Sequence, residues 1–282
     1  MTSGPAIPTP PHPAPPAGSC DCHFHIFGPA ADYPYRPGRD YTPPDALLGD
    51  YQSVLDRLGL DRCVVVQPSV YCTDNRRTLD ALAALGPRAR AVVAVDAGVS
   101  ESDLERMHAA GARGVRFFLA LHGATPIADL ETVAAKIAPL GWHVQLLVDG
   151  TRLPDIAARL HGLPVPVVID HMGYMPATVP ADHPGRHALL TLLAEDRFWV
   201  KLSGAYRVSA LPFPHADAAP FARALMDAAP DRVVWGTDWP HPTFDGPPPD
   251  AGALLGLLAD WTADPGQLRR TLCANPAALY GF

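Results

Sequence analysis

"RCVVVQPSVYCTDNRRTLDALAALGPRARAVVAVDAG", residues 62 to 98, holds one complete folding unit. Its first run, Arg62–Ser69, is rich in Val and meets Pro68. Its last, Ala91–Gly98, is again Val-rich and ends on Asp-Ala-Gly. β-Branched runs bounded by breakers read as strands. Between them "NRRTLDALAALG" spaces its apolar residues for one helical face and closes on Gly86, a helix stop. Strand, helix, strand is the building unit of a parallel sheet.

The unit recurs along the chain. Strand-like runs lie at 20–27, 62–69, 91–98, 113–120, 142–150, 165–173, 198–205 and 232–240. Amphipathic stretches such as "DYQSVLDRLG", "ESDLERMHAAG", "DLETVAAKIAPLG" and "ALLTLLAEDR" separate them, and Ser100 stands three residues before Asp103 as in a capping box. Eight alternations predict an α/β fold, a single-domain (β/α)8 TIM barrel over residues 20–282. An open doubly wound sheet is the competing architecture, but no GxGxxG follows the first strand.

Composition narrows the function. With 48% hydrophobic residues in 282, the chain can build a large core. No apolar run approaches the roughly 18 residues of a membrane helix. A net charge of -7, only two lysines (Lys136 and Lys201) and no basic block argue against nucleic acid and membrane as partners. A few arginines in a pocket still suit a small anion. The five cysteines are scattered, with no CxxC pair, so a reducing cytoplasm is the expected location. Residues 1–19 read as a Pro-rich flexible N-terminal segment without the features of a secretory signal. Residues 206–220 read as a long loop walling the pocket. A homo-oligomer is compatible with all of this.

Barrel chemistry gathers at the C-terminal ends of the strands. There the chain offers His23 and His25, Gln67 and Ser69, Asp96, Arg116, Asp149, Asp170 and His171, Lys201 and Ser203, and Asp238 and His241. In "CDCHFHIF" (20–27), His23 and His25 are two apart on a strand, so they share a face, about 7 Å apart along it. Asp21 is expected on that face one layer deeper, orienting a neighbour. A lone buried histidine is ordinarily a hydrogen-bonded core residue. Two on one face, with His171 and Asp238 elsewhere on the rim, point to a site that holds either a metal or a substrate. A buried Arg116 needs a carboxylate: a bound ligand's, or that of Asp96 or Asp149.

"DCHFHIFG", "IDHMG" and "WGTDWPHP" resemble the amidohydrolase superfamily, in particular its 2-pyrone-4,6-dicarboxylate lactonases and the related sugar-acid lactonases and galactarolactone isomerase. "YPYRPGRDYTPPDA", "RGVRFF", "LGWHV" and "NPAALYGF" extend the resemblance over nearly the whole chain after residue 19. It implies a hydrolase of carboxylic esters that opens a small, anionic, carboxylate-bearing lactone. Asp238 would activate water, and His23, His25 and His171 would polarise the carbonyl. Arg116, Ser69, Tyr41, Arg207 and His241 would bind substrate. The alternatives on the same scaffold are a lactone isomerase, a metal-dependent decarboxylase, or a binding protein without catalysis.

Two-metal relatives carry a carboxylated lysine on strand four and a histidine on strand five. Here Arg116 and "HVQLLVDG" stand there, so no binuclear centre is expected. The lactonase branch works without metal, so no cofactor is required. A single Zn or Mn ion on His23, His25, His171 and Asp238 is the alternative. The chain departs from the dicarboxylate enzymes in two places. "FLALHGATP", with His122, replaces a basic segment, and Leu147 replaces a tyrosine. A smaller or more apolar lactone is the expectation.

Overall fold

The structure, a computed structural model, describes residues 8–119, 125–262 and 264–282. Eight strands run in sequence order around one sheet: β1 (Cys20–Phe24), β2 (Arg62–Val66), β3 (Ala89–Val93), β4 (Ala112–Phe118), β5 (His143–Leu147), β6 (Val167–Ile169), β7 (Phe198–Lys201) and β8 (Val233–Val234). Each pairs in parallel with the next. The ring is closed past β8, where Cys22 N donates to Trp235 O at 2.9 Å, His25 N to Trp239 O at 2.8 Å and Asp238 N to His23 O at 2.8 Å. The result is the expected (β/α)8 barrel.

Its larger helices are α1 (Leu48–Leu58), α2 (Arg76–Leu85), α3 (Glu101–Ala110), α4 (Leu130–Ile137), α5 (Ala157–His161), α6 (Pro184–Leu193), α7 (Ala205–Val208), α8 (Ala219–Ala228), α9 (Ala251–Trp261), α10 (Pro265–Arg269) and α11 (Asn275–Tyr280). Ser100 caps α3, accepting from Asp103 N. Gly59, Gly111 and Gly141 end helical segments in the left-handed region that glycine enters at least cost.

Two apolar layers hold the barrel. Cys20, Cys22, Val64, Val66, Val92 and Val234 meet inside it, plugged by Tyr280 from α11. Alternate strand residues such as Cys63, Val65, Ala91 and Val93 face outward into the layer shared with the helices. The register breaks between β3 and β4, where Ala91 pairs with Ala112 but Val92 with Gly114, and again in β1, where it shapes the site. The register of β1 on β2 shifts between Asp21 and Phe24. Cys22 packs inside, yet Phe24 stacks on Tyr51 of α1 with ring centroids 3.5 Å apart. Such a bulge reverses the side-chain parity. His23 therefore turns into the barrel mouth, while Asp21 stays in the outer layer. This corrects the expectation that Asp21 and His23 share a face. Asp21 does orient neighbours, accepting from His23 N at 3.0 Å, Thr237 Oγ1 at 2.7 Å and Tyr51 Oη at 3.0 Å.

Strand eight is shorter than its run in the sequence. Past Val234 the chain crosses β1 so closely that a Cβ on Gly236 would lie 2.6 Å from both N and Cβ of His23. The run expected as loop from residue 206 starts inside a helical turn, α7, and α8 begins at Ala219. Of the Pro-rich lead, residues 8–19 are described. Thr9 N and Oγ1 donate to the Asp250 carboxylate at 3.0 Å, and Arg57 Nε donates to Pro8 O at 3.3 Å. Among the described residues no helix is long and apolar enough to cross a membrane.

Candidate active site

Asp238 is the centre of the rim. It sits at φ 59°, in the left-handed region, as do His171 (φ 50°) and His241 (φ 63°). Non-glycine residues take up this conformation at a cost and concentrate where a side chain's direction matters. The carboxylate is split between two roles. Oδ2 accepts from Tyr206 Oη and from Arg207 Nε, both at 2.6 Å. Oδ1 is buried with no hydrogen-bond partner among the described residues. Nε2 of His23 and Nε2 of His25 stand 3.8 Å from it, and Nε2 of His171 stands at 3.9 Å. The structure thus brings together the four residues expected to be catalytic.

Electrostatics fixes their protonation. Burial works to raise the Asp238 carboxyl, but the Arg207 guanidinium beside it holds the group well below the usual carboxylate range. Burial lowers His25 to about 3 and His171 to about 4. Burial, then the Lys201 charge, takes His23 well below its ordinary value. At neutral pH an ionised carboxylate oxygen faces three neutral imidazoles.

A second polar layer lies beneath. Asp170 Oδ2, after β6, accepts from Arg116 Nε at 3.1 Å and Gln145 Nε2 at 3.0 Å, with Arg116 Nη2 at 3.0 Å. Arg116 Nη1 donates to Gln67 O at 3.3 Å. The internal partner of Arg116 is therefore Asp170, which corrects the alternatives Asp96 and Asp149. Those two are exposed and bond their own turns, at Gly98 N and Thr151 N. Lys201, fully buried, donates from Nζ to Cys22 O at 2.9 Å and to Gln145 Oε1 at 2.8 Å. The same Nζ is 3.3 Å from His23 Nδ1.

The expected substrate-binding residues divide. Tyr41, Ser69, Arg116 and Arg207 line one cavity with His25, His171 and Asp238; Phe118, Leu147 and Tyr174 form its apolar wall. About 20 Å³ is open to the centre of a water-sized sphere, room for one water. Burial pushes the Tyr41 phenol up to about 12, so it is a neutral hydroxyl. Arg207 is not a free anchor. Besides Asp238 it donates from Nη1 to Thr243 Oγ1 at 3.1 Å and from Nη2 to Pro242 O at 2.7 Å. His241 stands behind the site, its Nδ1 3.1 Å from Tyr206 Oη. Since Tyr206 spends its proton on Asp238, its oxygen accepts from His241. His122 lies outside the described residues.

Tyr206 was not singled out from the sequence, where it opened the supposed loop. Gln145 was missed too, although a glutamine inside the apolar run "HVQLL" is itself a signal.

The donor set fits one ion. His23, His171 and Asp238 each offer an atom within 4.8 Å of the others, and His25 Nε2 is 3.2 Å from His23 Nε2. Imidazole nitrogens and a carboxylate oxygen suit zinc or manganese.

The sequence profile of the amidohydrolase family matches residues 20–282. Among curated relatives, the 4-sulfomuconolactone hydrolase of Hydrogenophaga intermedia is 40% identical, with 94% of this chain and 89% of that protein covered. The 2-pyrone-4,6-dicarboxylate hydrolase of Comamonas testosteroni is 38% identical (94% and 90% covered). The D-galactarolactone isomerase of Agrobacterium fabrum is 36% identical (96% and 94% covered).

Proposed function

The chain belongs to the amidohydrolase family, and on that footing we propose that it is a lactone hydrolase in which Asp238 activates the attacking water. The observation that carries the reading is the bare Asp238 Oδ1, buried and ringed by three imidazole nitrogens at 3.8–3.9 Å. A water seated there gives a proton to Oδ1 as its oxygen attacks the ring carbonyl. The carbonyl oxygen gains charge among the imidazoles; the carbonyl then re-forms as the ring C–O bond breaks, and the proton held by Asp238 passes to the leaving oxygen to give the hydroxy acid or its enol form. The names of the relatives support lactones as the substrate class.

The substrate is a small anionic lactone. The cavity as it stands has room for one water, so a lactone enters as its lining side chains give way; its carboxylate then meets Tyr41, Ser69 and the edge of Arg116, and its ring Phe118, Leu147 and Tyr174. That apolar wall favours one carboxylate over two. The reaction does not require a metal: the Asp238 carboxylate already carries Arg207 at 2.6 Å, and Lys201 stands 3.3 Å from His23. A single ion, if bound, would be held by His23, His171 and Asp238 and would polarise the carbonyl as a Lewis acid.

A screen of mono- and dicarboxylate lactones, with and without chelator, tests the reading. Ring opening of an anionic lactone, undiminished by chelator, is expected. Products of unchanged mass would favour the isomerase reading, to which the 36% identity with the galactarolactone enzyme gives weight. Activity that stops with chelator would favour the metal-dependent one.

A further inference from the structure

We infer that Lys201 is a positioning residue: it fixes the ring proton of His23 on Nε2, so that His23, and not His25, donates the hydrogen bond to the lactone carbonyl oxygen. The identity of that acceptor rests on the lactone-hydrolase reading; the placement of the proton does not.

His25 Nδ1 is 2.7 Å from Val66 O. A peptide carbonyl has only lone pairs to offer, so Nδ1 carries the proton and Nε2 of this neutral ring is a bare lone pair. His23 Nε2 is 3.2 Å from that lone pair. Two lone pairs so close repel, so His23 Nε2 carries a proton and donates to His25. A neutral His23 then has its lone pair on Nδ1, which faces Lys201 Nζ at 3.3 Å and Asp170 Oδ1 at 3.4 Å. A carboxylate oxygen cannot donate; an ammonium can. Two protons of Lys201 are taken by Cys22 O at 2.9 Å and Gln145 Oε1 at 2.8 Å, and the third falls to His23 Nδ1 at 3.3 Å, within hydrogen-bond reach, while Asp170 Oδ1 stands beyond it at 3.6 Å. Gln145 is itself held the right way round, because its Nε2 donates to Asp170 Oδ2 at 3.0 Å.

This divides labour among the histidines. When a lactone binds, His23 Nε2–H turns from His25 to the carbonyl oxygen, and the His25 lone pair so freed accepts one proton of the water while Asp238 Oδ1 accepts the other, leaving an oxygen lone pair for attack. As the new C–O bond forms, one water proton passes to Asp238, the carbonyl π pair moves onto its oxygen, and the His23 Nε2–H bond stabilises the charge there.

Long-range ¹H–¹⁵N correlation spectra of the free, ¹⁵N-histidine-labelled enzyme read the tautomers directly, with His23→Gln and His25→Gln spectra for assignment. The expected pattern is Nε2–H for His23 and Nδ1–H for His25. Lys201→Met leaves His23 Nδ1 facing the Asp170 carboxylate alone, a stronger acceptor than the His25 lone pair, so the proton should move to Nδ1 and kcat should fall by about 10²–10³-fold with KM little changed. Lys201→Gln, which keeps an N–H donor, should retain the Nε2–H pattern and recover much of kcat. A wild-type His23 protonated on Nδ1 would overturn the inference, and this holds even where Lys201→Met does not fold. So would a folded Lys201→Met with the wild-type pattern and kcat. An enzyme that opens no lactone yet shows the expected tautomers would remove the lactone reading and leave the role of Lys201 standing.

Discussion

Arg207 Nε lies 2.6 Å from Asp238 Oδ2, a buried ion pair made by a residue of α7 and a residue past β8. It leaves Oδ1 as the reactive oxygen and holds the carboxyl low. Removing the cation in Arg207→Met leaves burial to dominate, so the Asp238 pKa rises. An opposite charge at this range is worth about 1–3 pH units on a carboxyl. The acid limb of kcat/KM should move up by that amount. A pH profile superimposable on the wild type would show that Arg207 does not set the base.

Arg116 was expected to anchor a substrate carboxylate, and it also neutralises Asp170. Arg116→Met therefore strips a fully buried carboxylate of a partner. Breaking such a pair costs about 3–5 kcal/mol. Urea denaturation should show that loss together with a raised KM for an anionic lactone. A change in KM with unaltered stability would mean that the pair with Asp170 contributes nothing to the fold.

Stability should fall steeply with acid. Burial holds His25 and His143 at about 3 and His171 and His241 at about 4, against about 6.5 in the unfolded chain. From about pH 6.5 down to about 4 the unfolded state binds more protons, so each group removes about 1.4 kcal/mol per pH unit. Asp21 acts the other way: burial raises it to about 6, so over that window protonation favours the folded state. These four histidines, with His23 also held well below its ordinary value, outweigh the one gain and leave a net loss. Thermal unfolding should show a Tm well below the neutral value at pH 5; equal Tm at pH 7 and pH 5 would contradict these ionisation states.

Gly236→Ala tests the closure of the barrel. The new Cβ would meet His23 N and Cβ at 2.6 Å, and this is backbone that cannot step aside. Crowding of this kind costs about 1–3 kcal/mol. Activity should fall further than stability, because His23 moves with its strand. Full activity at wild-type Tm would mean that the crossing is looser than described.

The barrel was legible because each strand and helix announces itself locally, by β-branched runs, helical periodicity and closing glycines. The rim histidines and Asp238 were legible as polar residues where strands should be apolar. What the sequence concealed were the side-chain partners. The bulge that turns His23 inward leaves no mark in "CDCHFHIF", since it lies in the register of β1 against β2, a strand far away in sequence. The choice of Asp170 over Asp96 and Asp149 for Arg116 is a matter of which strand ends meet across the mouth. Arg207 read as an anchor because its distance from Asp238, 31 positions away in sequence, is set only by the fold.

The most direct test of the account is the steady-state rate of lactone opening by Asp238→Asn beside the wild type, with circular dichroism to confirm the fold. Asparagine keeps the shape but cannot take the proton of the water. A loss of about 10²–10⁴-fold in kcat with the fold intact is expected; turnover within tenfold of the wild type would contradict Asp238 as the base.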